Sequence, residues 1–178
     1  MSKRTLKARL KEDEAYLKYK NILEYCRGLA EFDNLVAEME LMHKTRKSRD
    51  MHLKTPDVHK LIEASLQASA FRSRCVEIMN TVQKANRLLQ AATDRIETHT
   101  STVYRDYIQG KSISDRKAYL RNVFQVAHYK LADYERIVEM AKLLIEDLDS
   151  FGWTAKHTLD ALTLIYQREN LIGTGKKL

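Results

Sequence analysis

The chain has 178 residues, with 5 Gly and 1 Pro where average usage gives about 12 and about 9. That shortage excludes a turn-rich β protein and a Gly-rich disordered chain, and 44% hydrophobic residues suffice for a core. Lys and Arg number 31 against 24 Asp and Glu, a net +7 that fits a polyanionic partner. The two cysteines, Cys26 and Cys75, make no disulfide framework, and the expected setting is a reducing one, the cytoplasm (the host's, if the protein is viral). No apolar stretch follows Met1-Ser2-Lys3-Arg4, and no apolar run is long enough for a membrane span, so neither a secretion signal nor a membrane partner is expected.

From Thr5 to Met51 the pattern is helical, with a break expected near Gly28. Leu6, Leu10, Leu17, Ile22, Leu23 and Tyr25 form a ragged stripe, and Phe32, Leu35, Val36, Met39 and Met42 step by three and four. Residues 1–54 therefore read as a basic, helical N-terminal arm. Thr55-Pro56-Asp57 is a helix start, with Thr as cap, Pro at the first helical position and Asp at the positive end of the dipole. Nothing then breaks the chain before Gly110, which predicts about 53 helical residues, roughly 80 Å of rod that needs other long helices beside it. Its expected seam runs through Ile62, Ser65, Ser69, Val76, Met79, Asn86, Leu89, Thr93, Ile96, Thr100 and Val103.

Ser112-Ile113-Ser114-Asp115 restarts the helix, with either Ser able to cap it. Leu120, Phe124, Ala127, Leu131, Tyr134, Val138, Ala141, Ile145 and Leu148 then alternate steps of four and three, a coiled-coil-like seam widened by Val123, Ile137, Met140 and Leu144. Homo-oligomerisation is assigned to Leu120, Phe124, Leu131, Tyr134, Val138, Ile145 and Leu148. Ser150-Phe151-Gly152-Trp153 is read as a break, followed by a short helix from Thr154 to about Asn170. The expected organisation is thus an all-α, oligomeric bundle with a core over 55–172 and a flexible basic tail over 173–178.

No catalytic constellation stands out. His43, His52, His59, His99, His128 and His157 form no His-Glu-x-x-His pair, and neither Cys has a partner at zinc spacing. The protein is expected to be no enzyme and to need no metal or cofactor. Nucleic-acid binding, which wants cations for phosphates and flat side chains for bases, has positive support. Lys18, Tyr19, Lys20, Tyr25 and Arg27 interleave. Lys44, Arg46, Lys47, Arg49 and Lys54 form the densest basic run. Tyr104, Arg105, Tyr107 and Lys111 straddle Gly110, near Arg116, Lys117 and Arg121.

Around this turn and beyond it the chain resembles the UvsY family of phage recombination mediators. The resemblance rests on Val103-Tyr104-Arg105-Asp106-Tyr107-Ile108-Gln109-Gly110, on Lys117-Ala118-Tyr119-Leu120-Arg121-Asn122-Val123, and on Tyr134 through Leu143-Leu144 to Leu148. Its most specific element is Gly152-Trp153-Thr154-Ala155-Lys156-His157, followed by Asp160. It covers about Leu61 to Leu162. The family's Lys-x-Arg before the tyrosines falls near Thr102 and Tyr104, where Arg105 alone supplies charge, and the segment from Met1 to Thr55 has no counterpart. The resemblance implies a non-enzymatic mediator of DNA recombination and repair. Such a protein binds single-stranded DNA as a homo-oligomer and helps a RecA-like recombinase replace the single-strand-binding protein. The implied contacts are Tyr104, Arg105, Tyr107 and Lys111, supported by Trp153 and Lys156, with Lys44, Arg46, Lys47 and Arg49 taking some phosphates. The alternative is a helical structural or scaffolding protein, such as a virion assembly component.

Overall fold

A computed structural model describes residues 6–55, 57–110 and 112–174, the side chains of 171–174 excepted. These residues form α1 (Leu6–Leu10), α2 (Glu14–Leu29), α3 (Phe32–Ser48), α4 (Met51–Lys54), α5 (Val58–Val103), a 3-10 turn (Arg105–Tyr107), α6 (Ile113–Val123) and α7 (Gln125–Thr174). No strand occurs among them, and the all-α expectation holds.

The chain forms two compact units, each drawn from separated stretches. Unit 1 takes the described residues of Met1–Leu35 and Asn80–Val138, and unit 2 those of Val36–Met79 and Glu139–Leu178. In unit 1 the buried residues include Tyr19, Leu23 and Cys26 of α2, Val82, Ala85, Leu89 and Ile96 of α5, and Ala127, Leu131, Tyr134 and Ile137 of α7. Small residues in the seam let helix backbones approach, and most polar atoms there find partners, the Thr93 hydroxyl donating to the Leu89 carbonyl at 2.8 Å while the buried Thr100 hydroxyl has none among the described residues. The Tyr134 hydroxyl donates to the Cys26 carbonyl at 2.7 Å, and the Cys26 thiol faces the Ala85 carbonyl at 3.6 Å. Burial pushes the Tyr134 phenol up to about 12, so it remains a donor. In unit 2, Met39 and Met42 of α3 are buried with Leu61, Ala64, Ala68, Cys75 and Ile78 of α5 and Ala141, Leu144, Leu148, Phe151 and Ala155 of α7. Arg74 reaches Glu38 at 2.6 Å and Arg72 reaches Asp149 at 2.6 Å.

Several expectations are corrected. The N-terminal residues are no separate arm. Their described part contributes Leu6, Leu10, Tyr19, Leu23 and Cys26 to the core of unit 1 and Met39 and Met42 to that of unit 2. Gly28 lies inside α2, which ends at Leu29 with Ala30 as its C-cap. Pro56 lies outside the described residues, and Asp57, whose carboxylate accepts from the His59 and Lys60 amides, caps α5. Thr55 turns back to the Met51 carbonyl instead.

The long helix stops at Val103 rather than Gly110. Its last turns are rich in β-branched Thr and Val, which are poor helix formers, and Tyr104 leaves the helix toward Asp13. The buried face of α5 is Leu61, Ala64, Ala68, Cys75, Ile78, Val82, Ala85, Leu89, Ala92, Thr93, Ile96 and Thr100, one residue earlier than expected over the first half and as expected at Leu89, Thr93, Ile96 and Thr100. α6 ends at Val123 with Phe124 as its C-cap, so the Leu120–Leu148 stripe spans two helices. Beyond Tyr134 it shifts to Ile137 and Leu144, which are buried where Val138 and Ile145 are half-exposed. No break occurs at 150–153. α7 continues through Gly152 to Thr174, since one helical Gly costs only about 1 kcal/mol and buried Phe151 and Ala155 hold the turn on both sides. Gly173 and Thr174 are therefore helical, and the rest of the expected tail lies outside the described residues.

Candidate nucleic-acid interface

The turn after α5 is built by an aspartate. Asp13 caps α2 by accepting from the Tyr16 amide at 3.1 Å. Its other oxygen meets His99 Nε2 at 3.0 Å and accepts from the Tyr104 hydroxyl at 2.7 Å. Burial opposes the charge on this carboxyl, but the His99, Tyr104 and Tyr16 hydrogen bonds outweigh it and hold the pKa down to about 2. The same bond pushes the Tyr104 phenol up. Tyr107 is half-buried with the Arg9 guanidinium 4.3 Å from its ring centre. Both tyrosines expected to stack on bases are thus engaged within the chain.

Arg105, on the 3-10 turn, is exposed. Gly110 has φ +137°, and a Cβ there would sit 2.7 Å from the Asp115 Cβ, so the chain turns back through a conformation that favours glycine. Ser112 and Asp115 then form a capping box that starts α6 at once. The helix this box launches brings Arg116 and Lys117 back over the turn. With Arg105 they border a cleft of about 370 Å³ whose apolar lining is Ile108, Ile113 and Leu120. Glu97 also lines it but is bonded to His128 at 2.8 Å. Arg116 Nε donates to the Gly110 carbonyl at 3.3 Å, while Arg105 and Lys117 form no ion pair among the described residues. Lys111 lies outside the described residues. The apolar lining escaped sequence reasoning; the Ser112-x-x-Asp115 capping box was its signal.

The other expected contacts belong to unit 2. Lys44 and Lys47 are exposed on α3. Arg46 is not available: its side chain is only 11% exposed, binds Asp50 and Asp147, and packs on the Phe151 ring at 4.8 Å. Arg49 is half-buried, with an Nε that has no hydrogen-bond partner among the described residues. Trp153 is 70% exposed, its ring 3.9 Å from that of His157, and Lys156 is exposed beside it. Trp153 and Lys156 thus belong to a different unit from Tyr104 and Arg105.

The residues assigned to oligomerisation are mostly spent on the chain's own core. Leu120, Phe124, Leu131, Tyr134 and Leu148 are buried, because α2, α3 and α5 already supply the facing helices. The C-terminal part of α7 differs: Leu164, Ile165 and Tyr166 are all more than half exposed. Among the described residues no three His, Cys, Asp or Glu converge to hold a metal ion, and no helix is long and apolar enough to cross a membrane. No protein-family model, curated protein or solved structure matches this chain.

Proposed function

We propose that this protein is a recombination mediator of the UvsY kind: a homo-oligomer that binds single-stranded DNA and helps a RecA-like recombinase displace the single-strand-binding protein. The cleft between α5 and α6 carries the DNA-binding part of this reading. Arg105, Arg116 and Lys117 supply cations around an apolar lining, which suits phosphates at the rim and an unstacked base against Ile108 and Ile113. The exposed Leu164, Ile165 and Tyr166 support self-association through the end of α7 in place of the buried Leu120–Leu148 stripe. The recombination step itself rests on the sequence resemblance.

Fluorescence anisotropy with a labelled single-stranded oligonucleotide at several salt concentrations tests the proposal. Wild type binds, and the Arg105→Ala, Lys117→Ala double variant lowers the slope of log K against log salt by about 1.4, near 0.7 for each lost phosphate contact. Lys44→Ala with Lys47→Ala asks the same of unit 2. Failure of the wild type to bind at low salt removes the mediator reading, and the scaffolding reading takes its place.

A further inference from the structure

Unit 1 has a second hollow surface, between α2 and α5. One hollow of about 440 Å³ is lined by Tyr19 and Ile22 of α2 and by Leu88, Ala91, Ala92 and Ile96 of α5. A second, of about 500 Å³, adjoins it and shares Leu88 and Ala91. Together they make a trough whose lining runs along α5 from Asn80 to His99, about 28 Å at 1.5 Å per residue, or about five helical turns; α2 walls the part from Leu88 to His99, and the part toward Asn80 is an open face of α5. The floor is apolar from Leu88 to Ile96, reaching solvent at exposed Leu88 and Ala91, and turns polar toward Asn80 and Gln83.

The rim has one sign of charge. Lys84, Arg87 and Arg95 line the trough and form no ion pair among the described residues, while Lys18 is matched by Glu14 at 2.7 Å. Among the described residues no carboxylate lines either hollow. We propose that this trough docks an acidic amphipathic helix of a partner protein. Such a helix lays apolar side chains on Ile22, Leu88 and Ala91 and carries carboxylates to Lys84, Arg87 and Arg95. Groove docking of this kind takes its affinity from the apolar face and its selectivity from the charges. A phosphodiester strand would meet the cations but leave most of the apolar floor unused. The surface is separate from the α5–α6 cleft, so the inference stands or falls independently of DNA binding.

The test uses two fluorescein-labelled helical peptides, each long enough to fill the trough and with the same leucine face, one with Glu and one with Lys on the opposite face. The wild-type chain binds the Glu peptide at least tenfold more tightly than the Lys peptide. The Lys84→Glu, Arg87→Glu, Arg95→Glu variant reverses that preference. Ala91→Trp, which fills the floor from an exposed position, abolishes binding of both peptides with unchanged circular dichroism. Three results overturn the inference: equal or absent binding of the two peptides by wild type, loss of oligonucleotide binding in the charge-reversed variant without loss of Glu-peptide binding, or a lower molar mass for Ala91→Trp, which would make the occupant a second copy of this chain.

Discussion

Replacing Asp13 with Asn tests how the N-terminal helices hold the end of α5. The substitution keeps the side chain's shape and leaves an oxygen to accept from the Tyr16 amide, so the α2 cap survives. What disappears is the charge that His99 and Tyr104 share. The native pKa of about 2 against an ordinary 3.8 corresponds to about 2 kcal/mol at about 1.36 kcal/mol per unit. The side chain is only 10% exposed, so solvent screens little of this. Because the native pKa is lowered, the stabilisation is present above the ordinary 3.8 and is lost as pH falls toward 2. At pH 7, urea unfolding followed by circular dichroism at fixed protein concentration should place Asp13→Asn below wild type by about 2 kcal/mol, the full linkage term. The gap should close between about pH 4 and about pH 2. Asp13→Ala should cost about 1 kcal/mol more, through loss of the cap. A difference at pH 7 no larger than that of an ordinary surface substitution, about 0.5 kcal/mol, would refute the reasoning, as would a difference that persists in acid.

Gly152→Ala should stabilise the protein by about 0.5–1 kcal/mol in thermal unfolding, because α7 is continuous there and an added Cβ meets nothing within 4 Å. Gly110→Ala should do the opposite, costing about 1–3 kcal/mol through its positive φ and the close Asp115. Arg46→Ala should cost about 1–3 kcal/mol by removing the cation that bonds the partly exposed Asp147, and Asp147→Ala in the same chain should recover part of that in a double-mutant cycle. Leu131→Asp should unfold the chain, whereas Leu164→Asp with Tyr166→Asp should reduce the mass seen by light scattering and leave helicity intact.

Periodicity was enough to show that the chain is helical and to pick Leu120, Phe124, Ala127, Leu131 and Tyr134 as core, since steps of four and three hold them on one side as the chain passes from α6 to α7. Beyond Tyr134 the stripe is two residues wide. Ile137 and Val138, then Leu144 and Ile145, are equally apolar, and only the position of the facing helix decides which is buried. On α5 the true seam is dressed in Ala and Cys, whose weak hydrophobicity hides them beside Ile62 and Met79. Arg46 looked like its neighbours Lys44 and Lys47 because the residue that claims it, Asp147, lies far along the chain. The turn at Gly110 was legible from its glycine and serines; the sharing of Asp13 by His99 and Tyr104 was not, being a meeting of distant segments.

The discontinuous make-up of the two units sets an order on synthesis. Unit 1 has all its pieces once Val138 has left the ribosome, whereas Val36–Met79 must wait for Glu139–Leu178. Met39, Leu61 and Ile78 therefore stay without their native cover while the whole of Asn80–Val138 is made. Unit 1 is thus the one whose residues are complete first on the nascent chain, and the apolar side chains of Val36–Met79 are the ones left longest without their partners.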